Sequence, residues 1–169
     1  MRRGVRAGID VGSVRVGLAT CDPDGMLASP VATLPRDMEG RTDQREIERY
    51  VRAHEVVEVV VGLPLSLSGA EGPAAAGARD YALALHHLLR DTPIRLVDER
   101  LTTVDAHRQM RGSGVAGRRQ RARVDQAAAV LILQAALDSE RATGQPAGVL
   151  VGGRKPRARR ARADNEGQR

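Results

Sequence analysis

Seven residues, "VVEVVVG" from Val56 to Gly62, lie between two stretches of helical periodicity and are apolar but for one glutamate and the closing glycine. A strand this short and this apolar has no solvent face, so both its faces are covered. Coverage on both sides, with helices before and after, is the signature of a parallel strand inside an α/β sheet. "IRLVDE" (Ile94 to Glu99) reads as a further strand. The flanking helices are legible. "TDQREIERYVRAHE" (Thr42 to Glu55) carries the stripe Ile47, Tyr50, Val51, with Asp43 and Glu46 at capping-box spacing. A longer helix, Pro73 to Arg90, starts with proline where no backbone donor is lost.

Upstream the period changes to two. Val5 to Asp10, Val14 to Cys21 and Met26 to Leu34 read as three strands, the last two joined by the turn "DPDG". They form an antiparallel meander. Downstream, Thr102 or Thr103 caps a helix to about Arg111. A loop, "GSGVAGRRQRAR" (Gly112 to Arg123), then leads to a final helix, "VDQAAAVLILQAALDSER" (Val124 to Arg141), apolar nearly all round and expected to be buried. The order βββ-α-β-α-β-α-α gives an α/β fold with a mixed five-stranded sheet, meander plus parallel strands, flanked by helices. Residues 1–143 make one domain. From residue 144 Gly, Pro, Arg, Asp and Gln dominate, and 144–169 is expected to be an Arg-rich, disordered tail.

Of 169 residues 41% are hydrophobic, with no Phe or Trp and two Tyr, so the core is aliphatic. All but one of the 27 basic residues are arginine, and the net charge is +6, which favours an anionic partner, nucleic acid first. The single cysteine, Cys21, excludes an internal disulfide and suits a reducing compartment. "MRRGVR" lacks the apolar run of a signal peptide, and no stretch has the length of a membrane span. The expectation is a cytoplasmic protein with no membrane partner.

Three acids stand in odd places. Asp10 interrupts the first strand between Ile9 and Val11. Glu99 ends the fifth, in "DER". Asp125 opens the most apolar helix. The order of elements brings the first, fourth and fifth strands together with the last helix packed upon them, so these acids can converge. Clustered carboxylates repel unless a cation sits among them, and a few carboxylates plus water match Mg²⁺. Each has a structural reading too: Asp10 as a turn former, Asp125 as an N-cap, "DER" as a solvated strand end. Asp98 and Glu99 point to opposite faces, and spacing alone does not choose between them.

"GIDVGSVRVGLA" (Gly8 to Ala19), "VVVGLPLSLSG" (Val59 to Gly69), "VDERLTT" (Val97 to Thr103) and "VDQAAAVLILQAAL" (Val124 to Leu137) resemble the YqgF family, also called RuvX. The resemblance runs from about Val5 to Arg141. It implies a ribonuclease H-like fold and a nuclease, with two proposed substrates: Holliday junctions and the 5′ end of pre-16S ribosomal RNA. It implies that Asp10, Glu99 and Asp125 are the catalytic, metal-binding acids, which favours Glu99 over Asp98. Where the family carries a lysine-rich stretch this chain has Arg118, Arg119, Arg121 and Arg123. Arginine keeps the charge and binds phosphate in a planar fork. Arg15, Arg100 and Thr102 lie inside the motifs as further substrate-binding candidates.

The chemistry implied is phosphodiester hydrolysis with two Mg²⁺ (or Mn²⁺) ions. His54, His86, His87 and His107 have no ligand spacing and are not needed for it. With so few aromatics, recognition rests on phosphates and shape, which leans toward structured nucleic acid. Symmetric cutting of a four-way junction would call for a homodimer. Two other readings stand beside this one: a catalytically silent nucleic-acid or ribosome-assembly factor, and a fragment of an actin-like ATPase, whose opening "GIDVGS" is similar but which needs two lobes.

Overall fold

The computed structural model describes residues 2–101 and 118–153; of residue 101 and residues 118–125 it describes the backbone only. Three antiparallel strands come first: β1 (Arg6–Val11), β2 (Arg15–Cys21) and β3 (Ala28–Pro35). Helix α1 (Thr42–Ala53) leads to β4 (Glu58–Leu63), then α2 (Pro73–Leu89) to β5 (Ile94–Asp98) and a 3₁₀ turn (Glu99–Leu101). Helix α3 (Arg118–Thr143) and a two-residue strand β6 (Val149–Leu150) are the last of the described elements. The sheet order is β3-β2-β1-β4-β5-β6, with β1, β4 and β5 parallel and in the middle.

Strand alternation divides the core in two. Ile9, Leu18, Val59, Val61 and Leu96 face α1 and α2, meeting Ile47, Val51, Tyr81 and Leu85. Ala19, Val60 and Val97 face α3, meeting Ala129, Ile132, Leu133 and Leu137. β4 is buried along its whole length, as an apolar run with no solvent face requires. The α2 stripe Ala75, Ala78, Ala82, Leu85, Leu89 is small at its start, which seats the helix close to the sheet. Gly8 does the same for α3: a Cβ there would meet Leu133 Cβ at 2.6 Å and the Ala129 carbonyl at 2.9 Å.

Several expectations are corrected. Among the described residues the sheet has six strands, not five, and the sixth lies past residue 143, where the sequence composition ends the domain. β6 pairs with β5 through Arg95–Leu150 and Leu96–Val149, at an edge where a strand of two residues suffices to cap the ladder. Residues 154–169 lie outside the described residues. α1 has no capping box: its N-cap is Arg41 with φ 53°, and Asp37 instead accepts from the backbone of Gly40 and Thr42 and from the Thr42 hydroxyl. Asp43 turns inward to accept from the Tyr81 hydroxyl at 3.0 Å; the phenol's own burial and this carboxylate beside it push the Tyr81 pKa up. The stretch 118–123 is helical, not loop, so α3 begins two turns earlier than its apolar run. α3 is also buried along one stripe rather than all round; Val130 and Leu131 are half-buried. No helix among the described residues is long and apolar enough to cross a membrane.

Candidate active site

The parallel strands end together, and Asp10 and Glu99 lie at those ends. Asp10 sits near the end of β1, paired across to Gly17 of β2. On its other side β4 runs in step, with Ile9 opposite Val61, so Gly62 is the next residue along; Gly62 in turn pairs with Val97 of β5. Asp10 shares the α3 face with Gly8, two residues earlier. It is only 2% exposed.

Glu99 follows Val97 by two residues in the 3₁₀ turn and is 1% exposed. Its carboxylate fills the space above Gly62. A Cβ on Gly62 would run into Glu99 Oε1 and would lie 2.5 Å from Ile132 Cδ1 of α3. A missing side chain at this one position therefore makes the room in which the carboxylate sits. The structure brings Asp10 and Glu99 to either side of Gly62, under α3. Burying two carboxylates side by side costs several kcal/mol for each, and a divalent cation between them offsets that. Carboxylate oxygens are the donor type that such an ion takes. Asp125 lies in α3 one turn before Ala129, the residue over Gly8; its side chain lies outside the described residues. Among the described residues no group of three or more His, Cys, Asp or Glu is placed to hold a metal.

Asp98 is on different duty. Arg100 donates to it through its backbone N–H and Nε at 3.0 Å and through a terminal nitrogen at 2.5 Å, and this holds the Asp98 carboxyl below the usual range. The same guanidinium reaches the Leu67 carbonyl at 3.5 Å. Arg100 thus braces the turn that carries Glu99. Arg15 stands at the same end of the sheet, half-buried, its carbonyl accepting from Gly12 at 2.8 Å to close the turn after Asp10. Arg118, Arg119, Arg121 and Arg123 occupy the first two turns of α3, with side chains outside the described residues, as is Thr102 altogether.

Two contributors escaped the sequence reading. Gly62 looked like the end of a strand, and only the register shows it beside both acids. Arg36 donates to the Gly12 carbonyl at 2.9 Å while stacking over the Tyr81 ring at 4.8 Å, pinning the turn after Asp10 from the opposite face. Nothing in its local sequence sets it apart from other arginines.

A family profile for RuvX, described as "Holliday junction resolvase", matches residues 4–139. The chain belongs to the RuvX family. Among its RuvX relatives, a Kineococcus radiotolerans protein is 55% identical over 167 residues, covering 99% of this chain and 88% of that one. A Streptomyces coelicolor protein is 52% identical over 149 residues, covering 88% of each. Both bear the name "putative pre-16S rRNA nuclease". Of solved structures, Thermus thermophilus RuvC in complex with a Holliday junction substrate aligns with TM-score 0.52 at 14% identity, over 85% of this chain and 99% of that one. That likeness speaks to the fold, which is ribonuclease H-like. Membership of RuvX makes the protein a nuclease, a hydrolase of ester bonds.

Proposed function

We propose that this RuvX protein is a divalent-metal-dependent endonuclease of structured nucleic acid, with Asp10, Glu99 and Asp125 as its catalytic and metal-binding acids. The observation that carries the reading is the pair of buried carboxylates either side of Gly62, at the ends of the parallel strands. When bound, Mg²⁺ or Mn²⁺ ions would polarise the scissile phosphate, activate the attacking water and stabilise the departing oxygen. Asp10 and Glu99 hold their oxygens on rigid elements: Asp10 on a central strand, Glu99 in a turn braced by Arg100. Asp125 adds a third carboxylate from α3. The arginines of the first α3 turns, with Arg15 and Thr102, dock the flanking phosphates.

The substrate follows from the relatives' names and the chemistry of the chain: the 5′ end of pre-16S rRNA, a four-way DNA junction, or both. Of the two tyrosines, Tyr81 is buried and Tyr50 is half-buried and stacks on His54, so the chain offers little aromatic surface to an unpaired base. Cutting a junction symmetrically would take two copies of the chain. Cys21, buried and accepting from the Arg6 backbone N–H at 3.3 Å, suits a reducing cytoplasm.

The test offers purified protein a pre-rRNA 5′ leader and a four-way junction, with Mg²⁺, Mn²⁺ or chelator. Asp10→Asn should abolish cleavage and leave affinity within about threefold, since it removes a metal ligand and no phosphate contact. Cleavage by Asp10→Asn at the wild-type rate, or undiminished cleavage in chelator, would sink the proposal.

A further inference from the structure

The loop between β4 and α2 leaves the sheet beside the catalytic turn, because Leu63 at its root pairs with Asp98. Its tip is Leu67, 91% exposed, the most exposed of the large apolar residues described. A lone exposed leucine is commonplace on protein surfaces. This one differs in how firmly it is presented. Leu65 and Glu71 form a bridge below it. Ser66 donates to the Ala70 carbonyl through its backbone at 3.0 Å and accepts from the Ala70 N–H at its hydroxyl at 3.0 Å. Gly69, at φ +83°, turns the chain back and donates to the Ser66 carbonyl at 2.8 Å. Arg79 donates to both Glu71 carboxylate oxygens at 2.8 Å and ties the loop to α2. Arg100, the residue after Glu99, reaches the Leu67 carbonyl itself.

A small, closed turn therefore projects one apolar side chain from the loop beside the turn that carries Glu99, and Arg100 of that turn contacts its backbone. Rigid apolar side chains at this kind of edge insert between stacked bases and part them. The chain has no Phe or Trp to do so; Tyr81 is buried and Tyr50 stacks on His54. We propose that Leu67 is a wedge that unstacks one base step of a paired nucleic acid next to the scissile phosphate, making it a specificity-determining residue of the reaction. The proposal rests on the nuclease reading above. Its occupant is a stacked, paired base step, which a folded RNA and a DNA junction both supply.

The experiment uses the full chain carrying Asp10→Asn, so that substrate binds without being cut. 2-Aminopurine is placed step by step through the paired region of the RNA leader and, separately, of the four-way DNA junction. Binding should raise fluorescence at one step by about threefold or more, and the rise should vanish with Leu67→Ala and persist with Leu67→Met. A rise with RNA alone or DNA alone names the source of the step. In the otherwise wild-type chain, Leu67→Ala should cut the fully paired substrate about tenfold more slowly and recover on a substrate mismatched at that step. An unchanged fluorescence rise in Leu67→Ala overturns the wedge, as does an equal loss of rate on paired and mismatched substrates, which would mark a merely structural role. Should the wild-type chain cut neither substrate, the nuclease reading falls, and the fluorescence comparison alone then decides for or against the wedge.

Discussion

Gly62 is the residue on which the site turns. Its lack of a side chain leaves the volume that Glu99 fills, between β4 and Ile132. Gly62→Ala puts a methyl group into that volume, so the ends of the Glu99 and Ile132 side chains, both buried, must shift to admit it. The expected cost in stability is about 1–3 kcal/mol, typical of overpacking. The expected cost in function is larger: a displaced carboxylate raises the Mg²⁺ concentration needed for half-maximal cleavage about tenfold or more. Denaturant unfolding and a metal titration of cleavage, run on the same preparation, separate the two. Normal metal dependence with lowered stability would show that Gly62 serves packing alone. Asp98 and Glu99 show how far neighbours diverge at this scale. Adjacent in sequence, they face opposite ways; one is bound by Arg100, the other lies buried in the cradle. Both are acids after an apolar strand, and the sequence carried no signal to rank them before the resemblance was brought in.

At the scale of elements, the far end of the sheet adds an ion network to its apolar packing. Glu140 near the end of α3 accepts from Arg2 at 2.9 Å, and Glu58 of β4 accepts from Arg2 and from Arg95 of β5. Arg6 of β1, 1% exposed, lies 3.4 Å from Glu140. This network clamps α3 against the beginnings of the three parallel strands and so fixes where its other end, with Asp125, lies. The Arg2 hydrogen bonds pull the Glu140 pKa down from 4.5 to about 2. A carboxylate depressed in the folded state stabilises it fully above its unfolded value and loses that stabilisation as pH falls through the folded one. The window is thus from about pH 4.5 down to about pH 2, and because Arg2 is half-exposed, solvent screening holds the contribution to about 1 kcal/mol. Glu140→Gln should lower stability at pH 7 and flatten the pH dependence in that window, read by urea unfolding at stepped pH. An unaltered acid limb would show that the bridge contributes nothing. The second element-scale test is Gly8→Ala, which should push α3 off the sheet by colliding with Leu133; about 1–3 kcal/mol of destabilisation is expected, with the melting temperature as the measure.

For the whole molecule the issue is how a small basic chain holds a polyanion. Part of the net charge of +6 lies in the stretch "RKPRARRARADNEGQR" that follows Gly153. As a tether it would neutralise phosphates without sequence preference, releasing counterions at each one. Removing Gly153 to Arg169 should then weaken binding at low salt and reduce the slope of log affinity against log salt by about 0.7–0.9 for each phosphate no longer neutralised. Equal affinities and equal slopes for the full and shortened chains, measured by fluorescence anisotropy, would dispose of the tether.

The sequence alone determined the layering of this protein. Short apolar runs between periodic helices have one stable arrangement, and β1, β2, β4, α2 and β5 fall where period and punctuation put them. It also marked Asp10 as unusual, an acid at the end of an apolar strand, without choosing between a turn former and a site residue. The meeting of Asp10 and Glu99 over Gly62, the diversion of Asp98 to Arg100, the edge strand β6 and the bracing role of Arg36 were decided only by tertiary structure. The physical reason is common to all four. Each depends on which residues strand register, turn geometry and helix docking bring together, and most of those residues stand tens of positions apart. A β6 of two residues, or a glycine valued for what its neighbour places above it, has no periodicity of its own to read.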